Sequence, residues 1–253
     1  MDYPKTGIHS FNDSKEWLQV DKIGHGWSAY NLARLSSSTW EWAGINSRKA
    51  AIAGTLSGFT FMSVIEFLDS RSAEWGWSWA DMAANSLGSG LYLGQEMLWK
   101  EQRIQYKFSF HRVDHKQADL IQRADNLFGE SLAERMLKDY NGQTYWLSFN
   151  LRSFFPDSKL PKWLNMSLGY GAEGLYGGFE NRAYDKNGNV IFDRRDISRN
   201  RAFYISPDID LTKIKTGKKW IRTTLFMLNA IKVPAPALRL NSKGQFRLDA
   251  IHF

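Results

Sequence analysis

Two observations predict an α+β protein, with an N-terminal helical bundle packed on an antiparallel β-sheet for which a barrel-like form stays open. Over residues 1–104 apolar residues recur at helical spacing, and over 105–253 they alternate every second residue. The first part carries a polar line on each of its three helical segments; the second is β-rich with two short helices. A chain of 253 residues can bury a substantial core, and the two parts are expected to form one integrated unit.

The first helix is expected to follow Asn12, Asp13 and Ser14, all able to cap it, and to run to about Ser36. SRKAAIAGTLSGFTFMSVIEFLDS (47–70) reads as a second, apolar nearly all round, whose Ala53, Gly54, Ser57 and Gly58 would admit a close neighbouring helix. SWADMAANSLGSGLYLGQEMLWKEQRI (78–104) reads as a third, opened by the S-x-x-D of Ser78 and Asp81. None has ~18 uninterrupted apolar residues, which favours buried bundle helices over a transmembrane one. Beyond residue 104, YKFSFH, TYWLSFNL, LNMSLGYG, RAFYISPDIDL and QFRLDAIHF each alternate and read as strands with one apolar face. A helix over Ala118–Asp139 separates the first two, and KKWIRTTLFMLNAIK (218–232) is another, stopped by the P-A-P of 234–236. DKNGN (185–189) is a turn cluster, and GYGAEGLYGG (169–178) a glycine-rich strand turn with aromatic packing. Such strands need an apolar cover, from the N-terminal helices or from lipid; five to seven strands fall short of the ~8 of the smallest membrane barrels. The terminal His-Phe is of the kind that closes many barrel chains.

Aromatic residues make up 15% of the chain, with 11 Trp, a composition that leans towards an interface of protein or membrane. The net charge of +7 is spread along the chain, and no RNP, zinc-finger or helix-turn-helix signature accompanies it, so nucleic acid is not an expected partner. The basic stretches DRRDISRNR (193–201) and KIKTGKKWIR (213–222) read as solvated loops or, with Trp220, as a headgroup-facing rim. The absence of cysteine excludes disulfides, thiol catalysis and a lipid anchor on Cys within this sequence. MDYPKTGIHS lacks the apolar core of a signal peptide, which leaves two expectations open: a cytoplasmic chain, or an export signal upstream of these residues. No G-x-S-x-G and no phosphate-loop pattern is present, so neither a serine nucleophile nor a nucleotide is expected.

The polar lines are the candidate site. Asp21 and His25 share one face of the first helix, Glu66 and Asp69 lie near the end of the second, and Asp81, Asn85, Ser89, Tyr92 and Glu96 form a stripe on the third. Burying such groups is costly unless they meet one another, so His25 is expected to join Glu66 or Asp69, and Asp81 or Asn85, in one buried site. Caps, exposed residues or a satisfied network without chemistry explain the same pattern. The chemical alternatives are an acid/base site drawn from His25, Asp21, Glu66, Asp69, Asp81 and Asn85, or a divalent metal (Mn, Fe or Zn) on His25, Glu66 and Asp69. No H-x-x-x-H or E-x-x-H pair lies within these helices, which counts against metal. His111 and His115 have that spacing on a strand-to-loop segment and read as surface residues.

D-K-x-G-H (21–25), the E-x-x-D of Glu66 and Asp69, and W-G-W-S-W-x-D-x-x-x-N (75–85) resemble the YfiM-like family of predicted periplasmic proteins. K-D-Y-N-G-Q-T-Y-W-L-S (138–148), W-L-N-x-x-L-G-Y-G-A-E-G (163–174) and I-K-x-P-A-P-A-L (231–238) look like its longer Bacteroidota branch. The helical half is also similar in outline to VanZ-like membrane proteins. The resemblance implies a cell-envelope protein of the periplasm or outer membrane, with membrane lipid or another envelope protein as partner and no assigned activity. A structural or interaction role is the first expectation, and an enzyme acting on an envelope lipid or glycan the alternative. The motif positions that carry over are Asp21, Lys22, His25, Glu66, Asp69, Asp81 and Asn85, without established roles.

Overall fold

The computed structural model describes residues 6–73 and 75–253. It is α+β and divides into two compact units, one of residues up to Lys15 with Asp21–Arg103, the other of Glu16–Val20 with Ile104–Phe253.

The helical unit contains α1 (Val20–Trp42), α2 (Ser47–Asp69) and α3 (Trp79–Leu98). Asn46 caps α2 by accepting from Lys49 N–H, and Ser78 caps α3 by accepting from Asp81 N–H at 3.0 Å, as its S-x-x-D start predicts. α1 starts six residues after Ser14, because the expected caps are otherwise engaged. Asp13 accepts from Lys22 and Ser78, and Asn12 accepts from Ser14. Trp17, Leu18 and Gln19 meanwhile take positive φ.

The glycines of α2 and α3 set how closely the helices approach. A Cβ on Gly54 would lie 2.1 Å from Ser37 Oγ, and one on Gly58 2.7 Å from the Ala33 nitrogen, both on α1. One on Gly88 of α3 would lie 2.0 Å from the Gly26 carbonyl oxygen. α2 differs from the buried bundle helix expected of it: it is long and apolar enough to cross a membrane, with only 33% of its most apolar stretch buried. The hydroxyls of Thr55, Ser57 and Ser63 that interrupt its apolar run donate to the carbonyls one turn back, which removes their need for water. Leu56, Phe61, Val64, Phe67 and Leu68 face outwards while Glu66 is 1% exposed.

In the second unit β1 (Ile104–Phe110), β2 (Gln143–Asn150), β3 (Leu164–Glu173), β6 (Asn200–Ile209), β7 (Ala235–Asn241) and β8 (Phe246–His252) form one antiparallel sheet in that order. β4 (Arg182–Tyr184) and β5 (Val190–Asp193) form a separate hairpin around the DKNGN turn. The predicted helix over 118–139 is two, α4 (Ala118–Phe128) and α5 (Leu132–Lys138), broken where Gly129 takes φ +82°. A four-residue α6 (Leu151–Phe154) follows β2. α7 (Lys219–Leu228) ends earlier than expected because residues 230–232 leave it to pair with the outer edge of β1, through Phe108 N–H to Ala230 and Lys232 N–H to Phe108. Ala235 and Pro236 of the P-A-P segment then open β7. The sheet therefore curls without β1 and β8 pairing, and is not a closed barrel.

On β3, β6, β7 and β8 apolar side chains face outwards. The register sets Tyr106, Leu147, Leu168, Ile205, Leu238 and Leu248 in one row across all six strands. Phe108, Tyr145, Tyr170, Phe203, Leu240 and Phe246 form the next row. Leu168, Ile205, Leu238, Leu248, Phe203 and Phe246 are exposed. The opposite, concave face is buried and combines an apolar cluster of Trp146, Ala202, Tyr204 and Ala237 with a polar network. Lys107 and Asp208, whose side chains are 0% exposed, pair at 2.8 Å, and Lys107 also donates to the Ile209 carbonyl. Ser148 donates to Asp208, Asn165 to Ser148 and Asn150 to Asn165. Trp146 packs against Gly169, where a Cβ would come within 2.6 Å of the ring, and donates to Ser109. His252 of β8 stacks on Tyr204 and reaches Thr144 of β2 at 3.2 Å, showing how far the sheet curls. The two-residue period fixed which residues share a face; buried hydrogen bonding decided which face is inside.

Candidate site in the helical unit

The sequence places Asp21, Lys22 and His25 on consecutive turns of α1, Glu66 and Asp69 at the end of α2, and Asp81 and Asn85 on the first turns of α3. The close helix approaches at Gly54, Gly58 and Gly88 bring these lines together. His25 lies between two carboxylates: its Nδ1 is 3.5 Å from Glu66 Oε1 and its Nε2 is 3.9 Å from Asp81 Oδ1. The expected meeting of His25 with Glu66 and with Asp81 is present. Asp69 stands one turn beyond Glu66, close enough for the His25 and Asp21 charges to act on it. Asn85 is fully buried one turn beyond Asp81, and neither of its amide atoms has a hydrogen-bond partner.

Lys22 is the hub. Its ammonium donates to Asp13, to Asp21 Oδ2 at 2.9 Å and to Asp81 Oδ2 at 2.9 Å. Ser78 ties the cluster to the α3 cap, its hydroxyl donating to Asp13 at 2.6 Å and its backbone N–H to Glu66 Oε2 at 3.3 Å. Asp13, Asp21, Glu66, Asp69 and Asp81 outnumber Lys22, and the imbalance is felt in the titrations. Burial, and then the Asp81 charge, pushes Glu66 up to about 7, against the opposing effects of His25 and the Ser78 N–H. Burial, with Asp21 adding, pushes Asp81 up to about 6, while His25 and Lys22 oppose. Asp69 is raised by burial first, with Asp21 adding and His25 opposing. Burial disfavours the Lys22 charge, but Asp21, Asp81 and Asp13 more than offset it and hold the group above the usual lysine range.

One potential ligand atom from each of Asp21, His25 and Asp81 falls within 4.8 Å of the others. This set differs from the metal candidates read from sequence: His25 is common to both, Asp21 and Asp81 replace Asp69, and Glu66 stands on the other side of the imidazole. Chemically, the arrangement can bind a cation or move a proton along Glu66, His25 and Asp81.

Sequence reasoning missed two other buried clusters. Asp139 (1% exposed) holds Arg135 at 3.2 Å, Asn141 at 3.0 Å and His115 at 3.8 Å, and His115 Nδ1 is 2.9 Å from the Tyr176 hydroxyl. His115 is thus not the surface residue its loop position suggested, its side chain being 5% exposed, whereas His111 is exposed. The Lys107–Asp208 pair was the other; both residues lie on the polar alternation of their strands, a signal that could have found them.

The model of a family described as predicted periplasmic lipoproteins (DUF2279) matches residues 10–94, about a third of the chain. The matched span contains Asp21, Lys22, His25, Glu66, Asp69, Asp81 and Asn85, so the buried cluster lies wholly within the similarity. The match supports a periplasmic, cell-envelope setting and assigns no activity. No curated protein and no solved structure matches the chain.

Proposed function

We propose that this is a cell-envelope protein seated in a membrane, the outer membrane being the one its barrel-like sheet suits, with a structural or interaction role there. The observation that carries the reading is the pair of apolar rows across the sheet, exposed at Leu168, Phe203, Ile205, Leu238, Phe246 and Leu248 on β3, β6, β7 and β8, while their β1 and β2 members Phe108 and Tyr145 are buried. In water that polarity exposes costly apolar area; against acyl chains it is the favourable arrangement. A further register row, Ile104, Phe149, Met166 and Pro207, extends the apolar face. Three rows two residues apart cover ~13 Å. That matches one leaflet's ~15 Å of hydrocarbon better than the ~25 Å band of a spanning barrel. Exposed Trp220 beside Lys218 and Lys219 at the start of α7 suits a headgroup-level anchor. The likeness to YfiM-like and VanZ-like proteins belongs to this proposal.

Flotation with phospholipid vesicles tests it. The full chain should float with vesicles and resist a high-salt wash, and Leu168→Glu with Ile205→Glu should abolish flotation without unfolding the helical unit. Protein that stays monodisperse without detergent and does not float would end the reading. Sedimentation of the native protein with outer-membrane rather than inner-membrane fractions tests the choice of membrane.

A further inference from the structure

We infer that the helical unit binds a divalent transition-metal ion between Asp21, His25 and Asp81, with Glu66 orienting the imidazole. The proposal is independent of the membrane reading. His25 presents a different nitrogen to each neighbouring helix, Nδ1 to Glu66 of α2 and Nε2 to Asp81 of α3. A histidine that ligates a metal through one nitrogen almost always donates the other N–H to a carboxylate or carbonyl; Glu66 Oε1 is placed for that role. Asp81 is divided likewise. Its Oδ2 is held by Lys22, whereas its Oδ1 faces His25 Nε2 with no hydrogen-bond partner. Lys22 also takes Asp21 Oδ2, so one ammonium fixes both carboxylates through the same oxygen of each.

A cluster of acids alone would not make a site. Here buried polar atoms point into it unsatisfied: Glu66 Oε1 on a residue 1% exposed and Asp81 Oδ1 on a residue 4% exposed, beside the unbonded His25 Nδ1. Buried carboxylate oxygens in that state are costly; a cation on Asp81 Oδ1 and His25 Nε2 satisfies the Asp81 oxygen directly and fixes the Nδ1–H tautomer that donates to Glu66 Oε1. Asp81 Oδ1 and His25 Nε2, 3.9 Å apart, stand a little wider than two ligands each ~2.1 Å from one ion in tetrahedral geometry, so only a small contraction is needed. One imidazole with two carboxylates suits Zn²⁺ or Mn²⁺ rather than the all-oxygen preference of Ca²⁺.

The test uses the full chain, stripped with EDTA and then dialysed against Zn²⁺ or Mn²⁺ alone. One equivalent should bind, with a rise in melting temperature that EDTA reverses. His25→Gln and Asp81→Asn should lose the equivalent, and Glu66→Gln should weaken binding about 10–100-fold while keeping the stoichiometry. His115→Gln, in the other unit, should bind as wild type. Because the ligand variants also remove buried partners on which folding depends, wild-type protein loaded with Co²⁺ gives an independent measurement, visible ligand-field absorption of a low-coordinate nitrogen–oxygen site. Wild-type protein that takes up no metal and shows no EDTA-sensitive melting shift would overturn the inference. So would folded His25→Gln protein that binds as wild type.

Discussion

Replacing Lys107 by Met removes the ammonium from the most deeply buried ion pair of the sheet unit. Lys107 and Asp208 are 2.8 Å apart with side chains 0% exposed, and Asp208 Oδ1 already lacks a partner. At an effective dielectric of about 20, opposite charges ~4 Å apart attract by about 4 kcal/mol. Mutational experience with buried pairs gives about 3–5 kcal/mol for deleting one partner, because the other charge is left stranded. Met is of similar length and apolar, so little of that cost comes from a cavity. Lys107→Met should therefore lower unfolding free energy by about 3–5 kcal/mol, a large share of a typical domain's total. Asp208→Asn in the same background removes the stranded charge while leaving an acceptor for the Ser148 hydroxyl. The double variant should regain at least half of the loss. Equilibrium urea unfolding of the detergent-solubilised protein, read as a double-mutant cycle, measures both. A loss under about 1 kcal/mol for Lys107→Met, or a double variant no better than the single one, would refute the reasoning that the buried polar face is held by this pair.

Three further outcomes are expected. Gly88→Ala sets a methyl against the Gly26 carbonyl oxygen and should cost about 1–3 kcal/mol or more by forcing α1 from α3, whereas Gly90→Ala, with open space around it, should be neutral or stabilising by up to about 1 kcal/mol; paired melting curves decide. Burial first, with His111, Lys232 and Arg239 adding and Asp249 opposing, pushes His252 down to about 4. A folded-state value below the unfolded ~6.5 means stability present above pH 6.5 and lost as pH falls to about 4, by about 3 kcal/mol, and His252→Gln should remove that part of the pH dependence. Ser78→Ala loses both the cap to Asp81 N–H and the bond to Asp13, and should destabilise by about 1–2 kcal/mol, measurable by the same unfolding titration.

The sequence by itself determined the local elements and the polar lines. A period of two in TYWLSFNL can only be a strand with Leu147 and Phe149 on one side and Ser148 and Asn150 on the other. Same-face spacing likewise makes Asp21 and His25, Glu66 and Asp69, and Asp81 and Asn85 inward neighbours if the helices meet. Gly54 and Gly58 announced that a helix would approach α2. Tertiary structure decided the rest, because each remaining question depended on distant residues. Whether the apolar or the polar side of the sheet is inside turns on Lys107 finding Asp208, a hundred residues away. Asp13 serves Lys22 and Ser78 instead of a helix N-terminus, and the APALRLN segment becomes a strand because 230–232 first pair with β1. His25 stands between Glu66 and Asp81 because three helices pack with glycine against backbone, and a linear sequence specifies the glycines but not which carbonyl each will touch.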